Sequence, residues 1–214
     1  MTDNVYICIV SVIMKRVFAD YQRLERHAAE MQGVFTVSDL RNLIAPASEV
    51  ELFRCIRNLQ ANGVLRRFCK SIYVTENFNL EAVSCRINPE SYISFGTVLS
   101  RHLLIGVIPA HTVTGVKVGR CRHYGNGMGA VIHLGINPDL MFGIEFKSGI
   151  RLADAEKAYI DTLYFYQKGH RFPFDVFGDI DCGRLDKERI NKYLKHYRNP
   201  KFVRFVENCL NVKP

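Results

Sequence analysis

The amino-acid sequence predicts an α/β protein of the α+β kind, with an N-terminal winged helix-turn-helix followed by a mixed domain with a small sheet and several helices. Three observations carry this. Two capping boxes, Thr36-Val37-Ser38-Asp39 and Ser48-Glu49-Val50-Glu51, each set a hydroxyl three residues ahead of a carboxylate and mark two helix starts in close succession. Pro46 between them disfavours helix at Ala45 and forces a break. After Asn62-Gly63 the pattern changes to short β-branched runs, which return beyond His111 before helical spacing resumes at Asp154.

Along the chain, Val5 to Ile13 is the most apolar run, far short of the roughly twenty residues that cross a bilayer. Asp3 precedes it and Lys15-Arg16 follow it, the reverse of a secretory leader. It reads as an edge strand or packing arm, or as an extension ahead of an initiating Met14, and it makes residues 1–14 a segment of their own. The winged helix-turn-helix is expected over residues 15–84. Its first helix runs from about Lys15 to Met31, with Val17, Phe18, Tyr21, Leu24, Ala28 and Met31 on one face, and Gly33 ends it. The helix opened by Ser48 is expected to bury Leu52, Phe53, Ile56 and Leu59 and to turn Arg54, Arg57, Asn58 and Gln60 outward. Asn62-Gly63 stops it, because both residues tolerate left-handed backbone. Val64 to Phe68 and Ser71 to Val74 form the hairpin of the wing, and Thr75 to Ser84 reads as a polar connector.

Winged helices bind either DNA or protein, and charge favours DNA. From Arg41 to Val74 the basic residues are Arg41, Arg54, Arg57, Arg66, Arg67 and Lys70, against only Glu49 and Glu51. That surplus on helix and wing is the electrostatic footprint of phosphate contact. Arg54, Arg57 and Asn58 are expected to face the groove and Arg66, Arg67 and Lys70 to hold phosphates, with Arg41 and Ser48 as further DNA-binding residues.

Residues 85–214 form the second expected domain, which holds 19 Lys and Arg against 12 Asp and Glu. Ser94 to Leu104 reads as a helix; Thr112 to Lys117, Ala130 to Leu134, Phe142 to Phe146 and Gly149 to Leu152 read as strands. Asp154 to Gln167 has an amphipathic helical pattern with Ala155, Ala158, Tyr159, Thr162, Leu163 and Tyr166 inward. Helices over about Asp186 to Tyr197 and Phe202 to Leu210 close the chain. Lys192, Lys195 and Arg198 follow at three-residue spacing, as one basic face of the first of these, and form either a solvated surface or an interaction surface.

Catalytic patterns are weak. Pro138-Asp139 and Glu145-Phe146-Lys147 imitate a metal-dependent nuclease site, but the five intervening residues are too few for the usual pair of strands. Gly125-Asn126-Gly127-Met128-Gly129 suits a hairpin turn in which Asn-Gly supplies two positive φ angles, since no lysine-serine pair follows to hold a phosphate. His102, His111, His123, His133, His170 and His196 lack metal-ligand spacing. The seven cysteines are scattered and never spaced C-x-x-C, which fits a reducing cytoplasm. Glu156 and Asp161 lie five apart and do not converge as an acid–base pair. No cofactor, metal or membrane partner is expected.

Arg151 to Phe165, RLADAEKAYIDTLYF, resembles the signature helix of the AbiEi antitoxin family, with Arg151, Glu156, Lys157 and Asp161 on the matching positions. Tyr92 to Ile105 is similar to the helix that opens that family's second domain, and the order of elements from Thr36 to about Leu210 matches. The sequence departs from the family in having Ala153-Asp154-Ala155 where a proline often precedes the glutamate; Asp154 suits a helix start equally. The resemblance implies a non-enzymatic antitoxin of a type IV toxin-antitoxin system, associated with phage defence. Such a protein represses its own operon by binding double-stranded promoter DNA with inverted repeats, self-associating there, and counters a nucleotidyltransferase-type toxin with or without stable contact. Two other classes stay open: a nuclease or nucleotidyltransferase acting through Asp139, Glu145 and Lys147, and a winged-helix transcription factor whose second domain senses a ligand.

Overall fold

The computed structural model describes residues 18–106 and 111–211. The apolar run at residues 5–13, the expected start of the first helix at residues 15–17 and Lys213 lie outside the described residues. The chain divides into two compact units between Arg86 and Ile87. Helices and mixed sheets together make it an α/β fold.

In the first unit, residues 18–28 form helix α1. Strand β1 (Val34–Thr36), α2 (Val37–Ile44), α3 (Glu49–Ala61), β2 (Arg66–Cys69), β3 (Ile72–Val74) and α4 (Leu80–Ile87) follow. The strands form an antiparallel sheet in the order β1-β3-β2, with Val34 and Arg66 both opposite Val74. Thr36 caps α2 in a full box, its hydroxyl accepting from the Asp39 amide at 3.1 Å while Asp39 Oδ2 accepts from the Thr36 amide at 2.8 Å. Ser48 caps α3, but the Glu51 carboxylate reaches back to the Ala47 amide, one residue beyond the cap. Leu24, Phe35, Leu40, Leu52, Ile56 and Leu59 fill the core, each contributing on the order of 1.5–3 kcal/mol on burial.

Several expectations need correcting here. Leu52, Ile56 and Leu59 already close the inner seam of α3, so Phe53, a further 100° round a helix, stands 42% exposed. On α1 Leu24 is the buried anchor, whereas Phe18 is 59% and Tyr21 36% exposed. The wing is tighter than expected: Cys69 pairs with Ile72, leaving Lys70-Ser71 as a two-residue turn with Ser71 at φ 67°. A bulge between Arg67 and Cys69 turns Phe68 inward. The expected connector is partly helical, because Asn79 Oδ1 accepts from the Glu81 amide and Ala82 and Val83 are buried.

The second unit holds β4 (Tyr92–Ile93), α5 (Gly96–Arg101), β5 (Thr112–Val118), β6 (Arg122–Asn126), β7 (Gly129–Ile136), β8 (Ile144–Lys147), β9 (Ile150–Ala153), α6 (Ala155–Gln167), α7 (Lys187–Leu194) and α8 (Pro200–Asn211). Its mixed sheet runs β6-β7-β5-β4-β9-β8, with β5 parallel to β7 and β4 parallel to β9. The sequence reading missed β4 and β6. Tyr92 and Ile93 do not continue into helix, because Phe95 takes φ 60° and ψ −144° and α5 starts only at Gly96. For a buried phenylalanine that backbone costs on the order of 1–3 kcal/mol. The glycine-rich stretch is a hairpin pairing Asn126 with Gly129, but neither Asn126 nor Gly127 takes a positive φ; the Asn126 side chain accepts from the Met128 amide instead.

The link from β5 to β6 crosses over β7. A Cβ on Gly135 would lie 1.9 Å from the Gly119 carbonyl oxygen, so the crossing requires glycine there. Helix α6 is also not amphipathic: every residue from Glu156 to Leu163 is buried, because α5, α7, α8 and β9 all pack on it. Helix α7 ends at Leu194, two turns of one helix being too short to carry Arg198 on the same face as Lys192. Among the described residues no helix is long and apolar enough to cross a membrane.

Candidate functional site

The residues expected to meet nucleic acid lie on α2, at the cap of α3, on α3 and on the β2–β3 hairpin. Arg41, Ser48, Arg54, Arg57, Arg66, Arg67 and Lys70 are all exposed and Asn58 is half-buried. Their charges are unequally available. Arg41 Nε donates to Glu49 at 2.8 Å, a bond that raises its proton affinity further, and Arg54 pairs with Glu51 at 3.3 Å. The Ser48 hydroxyl accepts from the Glu51 amide as the cap, leaving its own O–H to donate. Arg66 and Arg67 donate to the carbonyls of Glu76 and Cys69. Arg57 and Lys70 have no ion-pair partner among the described residues. Val50 is 78% exposed and shares the outer face with Arg54 and Arg57 at helical spacing. Val50 and Phe53 are the residues that sequence reasoning overlooked for this surface; their signal was one apolar residue more than the inner seam can hold.

The signature-helix residues assemble a different kind of site, wholly enclosed. Lys157 and Asp161 both have side chains 0% exposed and lie one turn apart on α6, with Nζ donating to Asp161 Oδ1 at 2.6 Å. Asp161 Oδ2 accepts from the Tyr92 and Ser94 hydroxyls, each at 2.9 Å. Lys157 Nζ also donates to the Tyr197 hydroxyl and lies 4.5 Å from the centre of the Phe142 ring. Burial first, and Asp161 second, push the Tyr92 phenol well above its ordinary range, so it stays a donor. Outside this pair, Glu156 accepts from the Asp186 amide and from Arg189, tying the start of α6 to that of α7. Asp154 caps α6 and accepts from Tyr193; burial raises its proton affinity against the opposing effect of that hydroxyl. Arg151 lies on β9, 3.7 Å from Glu90. The sequence reading weighed Asp161 against Glu156 and did not pair it with Lys157, four positions before it; the enclosure of the pair depends on Tyr92 and Ser94, which lie far away in the chain.

The remaining expected groups do not converge. Asp139 pairs with Arg198 at 3.0 Å, and Glu145 pairs with Lys147 at 2.6 Å on an exposed edge strand. Each carboxylate of the nuclease-like pattern thus meets its own cation. Lys192, Lys195 and Arg198 are exposed, but only Lys192 lies within α7. Among the described residues no group of three His, Cys, Asp or Glu could hold a metal ion.

No family model matches this chain, and no curated protein does. Among solved structures it is similar to the crystal structure of the RV2827C protein from Mycobacterium tuberculosis, with a TM-score of 0.57 and 13% identity over 88% of this chain and 74% of that one. That likeness concerns the fold.

Proposed function

We propose that the chain is a DNA-binding autorepressor of the AbiEi antitoxin type, which represses its operon through the first unit and counters a nucleotidyltransferase-type toxin through the second. The observations that carry the DNA-binding half are the outward face of α3, where Val50, Arg54 and Arg57 follow one another along the helix, and a two-residue wing tip with Lys70 in the turn. Arginine reads guanine edges and an apolar side chain meets the thymine methyl; the wing supplies phosphate contacts. Replacing Arg57 by alanine is expected to cost about 1–3 kcal/mol on the preferred operator and to relax specificity at one position. Replacing Arg66, Arg67 and Lys70 together is expected to weaken all duplexes alike and to flatten the dependence of affinity on salt. A gel-shift titration at several salt concentrations reads both, and a wing variant with unaltered slope would refute the interface.

The antitoxin half is supported by the resemblance of Arg151 to Phe165 and by the rigid anchoring of α6, which makes the second unit a scaffold rather than a flexible tail. It requires a nucleotidyltransferase gene beside this one whose expression arrests growth. Co-expression of the full chain is expected to restore growth, and the wing triple variant is expected to restore it equally while losing repression. Arrest that persists with the full chain present counts against the antitoxin assignment.

A further inference from the structure

The second unit contains a half-open cavity of about 260 Å³ that the DNA-binding reading does not use. Its floor is sheet, with Thr114 of β5 opposite Ile132 of β7 in the parallel register and Thr112 two residues along. One wall is the start of α5, at Phe95 and Thr97; the other is the segment after α6 that carries His170, Arg171, Phe172 and Phe174.

Three features of this cavity select an occupant. Flat rings line it: Phe172 lies 5.4 Å from Phe95 and 5.4 Å from Phe174, tilted by 36° and 33°, and both Phe172 and Phe174 keep part of their surface open. The hydroxyls of Thr97, Thr112 and Thr114 make no side-chain hydrogen bond among the described residues, so each can give or take one. Arg171 is exposed and has no carboxylate partner among the described residues, and no acidic residue lines the cavity. Burial, with His123 nearby, lowers the proton affinity of His170, which leaves the rim charge to Arg171. An aliphatic ligand would waste the hydroxyls, a cation would meet only Arg171, and a bare anion would gain nothing from the rings. The volume lies below the roughly 300–1,000 Å³ of drug-sized clefts, and so suits one heterocycle. Phe95, a lining residue with strained backbone, is a second sign of function, since such backbone persists where the surrounding structure enforces it.

We propose that this cavity binds one unstacked nucleobase, from a single-stranded nucleic acid or a free nucleotide, with the ring against Phe172, its polar edge on Thr112 and Thr114, and its phosphate on Arg171. Stacking plus a cationic rim is the general solution for bases outside a duplex. The site is independent of the wing and does not rest on the antitoxin reading.

The experiment uses the full chain carrying Arg66→Ala and Arg67→Ala, so that wing binding is suppressed, with fluorescein-labelled dT and rU decamers followed by anisotropy and with AMP and UMP as competitors. Phe172→Ala is expected to weaken binding about tenfold, as loss of one stacking ring does. Thr114→Val, which keeps the shape and removes only the hydroxyl, is expected to weaken it several-fold, with the unfolding temperature of both variants near that of the parent. Displacement by mononucleotides supports the site and identifies a free nucleotide as its ligand; tight decamer binding that mononucleotides do not displace supports it and identifies a strand. Absence of binding by both decamers and mononucleotides, or binding that neither variant weakens, overturns the proposal.

Discussion

Replacing Asp161 by alanine is expected to cost the second unit about 3–5 kcal/mol, the range for breaking a buried ion pair from one side. Among the described residues the carboxylate is the only anion bonded to the Lys157 ammonium, and it also holds the Tyr92 and Ser94 hydroxyls. Without it, the ammonium keeps the Tyr197 hydroxyl at 3.3 Å and the faces of the Phe142, Tyr92 and Tyr197 rings, which replace little of the hydration lost on burial. Asp161→Asn retains an acceptor and is expected to be milder. The double change of Lys157 to methionine and Asp161 to leucine removes both charges at similar volume and is expected to recover only part of the loss, because it lifts the penalty of a lone buried charge but leaves the Tyr92 and Ser94 hydroxyls without their acceptor. Urea unfolding midpoints measure all three. An alanine variant within 1 kcal/mol of the parent would falsify the enclosure of the pair.

Acid should destabilise the second unit through His133. This side chain is 0% exposed on β7, packed against Tyr124, and burial first and Lys117 second lower its pKa from 6.5 to about 4. The folded state holds the ring neutral while the unfolded chain binds a proton, so between these two values the unfolded state carries more protons and stability rises with pH. The contribution is fully present above pH 6.5 and is lost progressively down to about pH 4, amounting to about 3 kcal/mol at 1.36 kcal/mol per unit. His170, lowered by burial and by His123, acts in the same direction, whereas Asp154, raised by burial, acts in the opposite one in the carboxylate range. A His133→Gln variant should show a flatter profile across this window by that amount. Parallel profiles for variant and parent would show that His133 is not the group responsible.

The sequence was most legible where local chemistry decides local structure. Thr36, Ser48 and Asp154 each cap a helix as their side chains suggest, and the α6 spacing is visible without any partner. What could not be read depends on distant neighbours. Phe53 and Tyr92 show this in opposite ways: a phenylalanine at helical spacing is left in solvent because three other residues suffice, while a tyrosine next to an apparent helix joins a strand because Val116 of β5 pairs with it and Leu152 of β9 pairs with its neighbour Ile93. The exposed basic residues of the candidate interface were all named from composition, but their pairing with Glu49 and Glu51 follows from where α3 begins. The expected continuity of Lys192, Lys195 and Arg198 failed for a similar reason, since the helix stops before its charge pattern does.

The crossing of the β5–β6 link over Gly135 bears on the order in which the chain can fold during synthesis. The strand that separates β5 from β6 is made after both. Until β7 emerges, at roughly 5–20 residues per second, β6 has no neighbour to pair with and the link has nothing to rest on. β4 waits longer, because its second neighbour is Leu152, 59 positions after Ile93 in the parallel register. Within this sheet, among the described residues, only the β6–β7 and β8–β9 hairpins can close as they leave the ribosome; the middle of the sheet, built from partners far apart in the chain, belongs to the slow class of folding and leaves its pairing edges open until synthesis has passed residue 152.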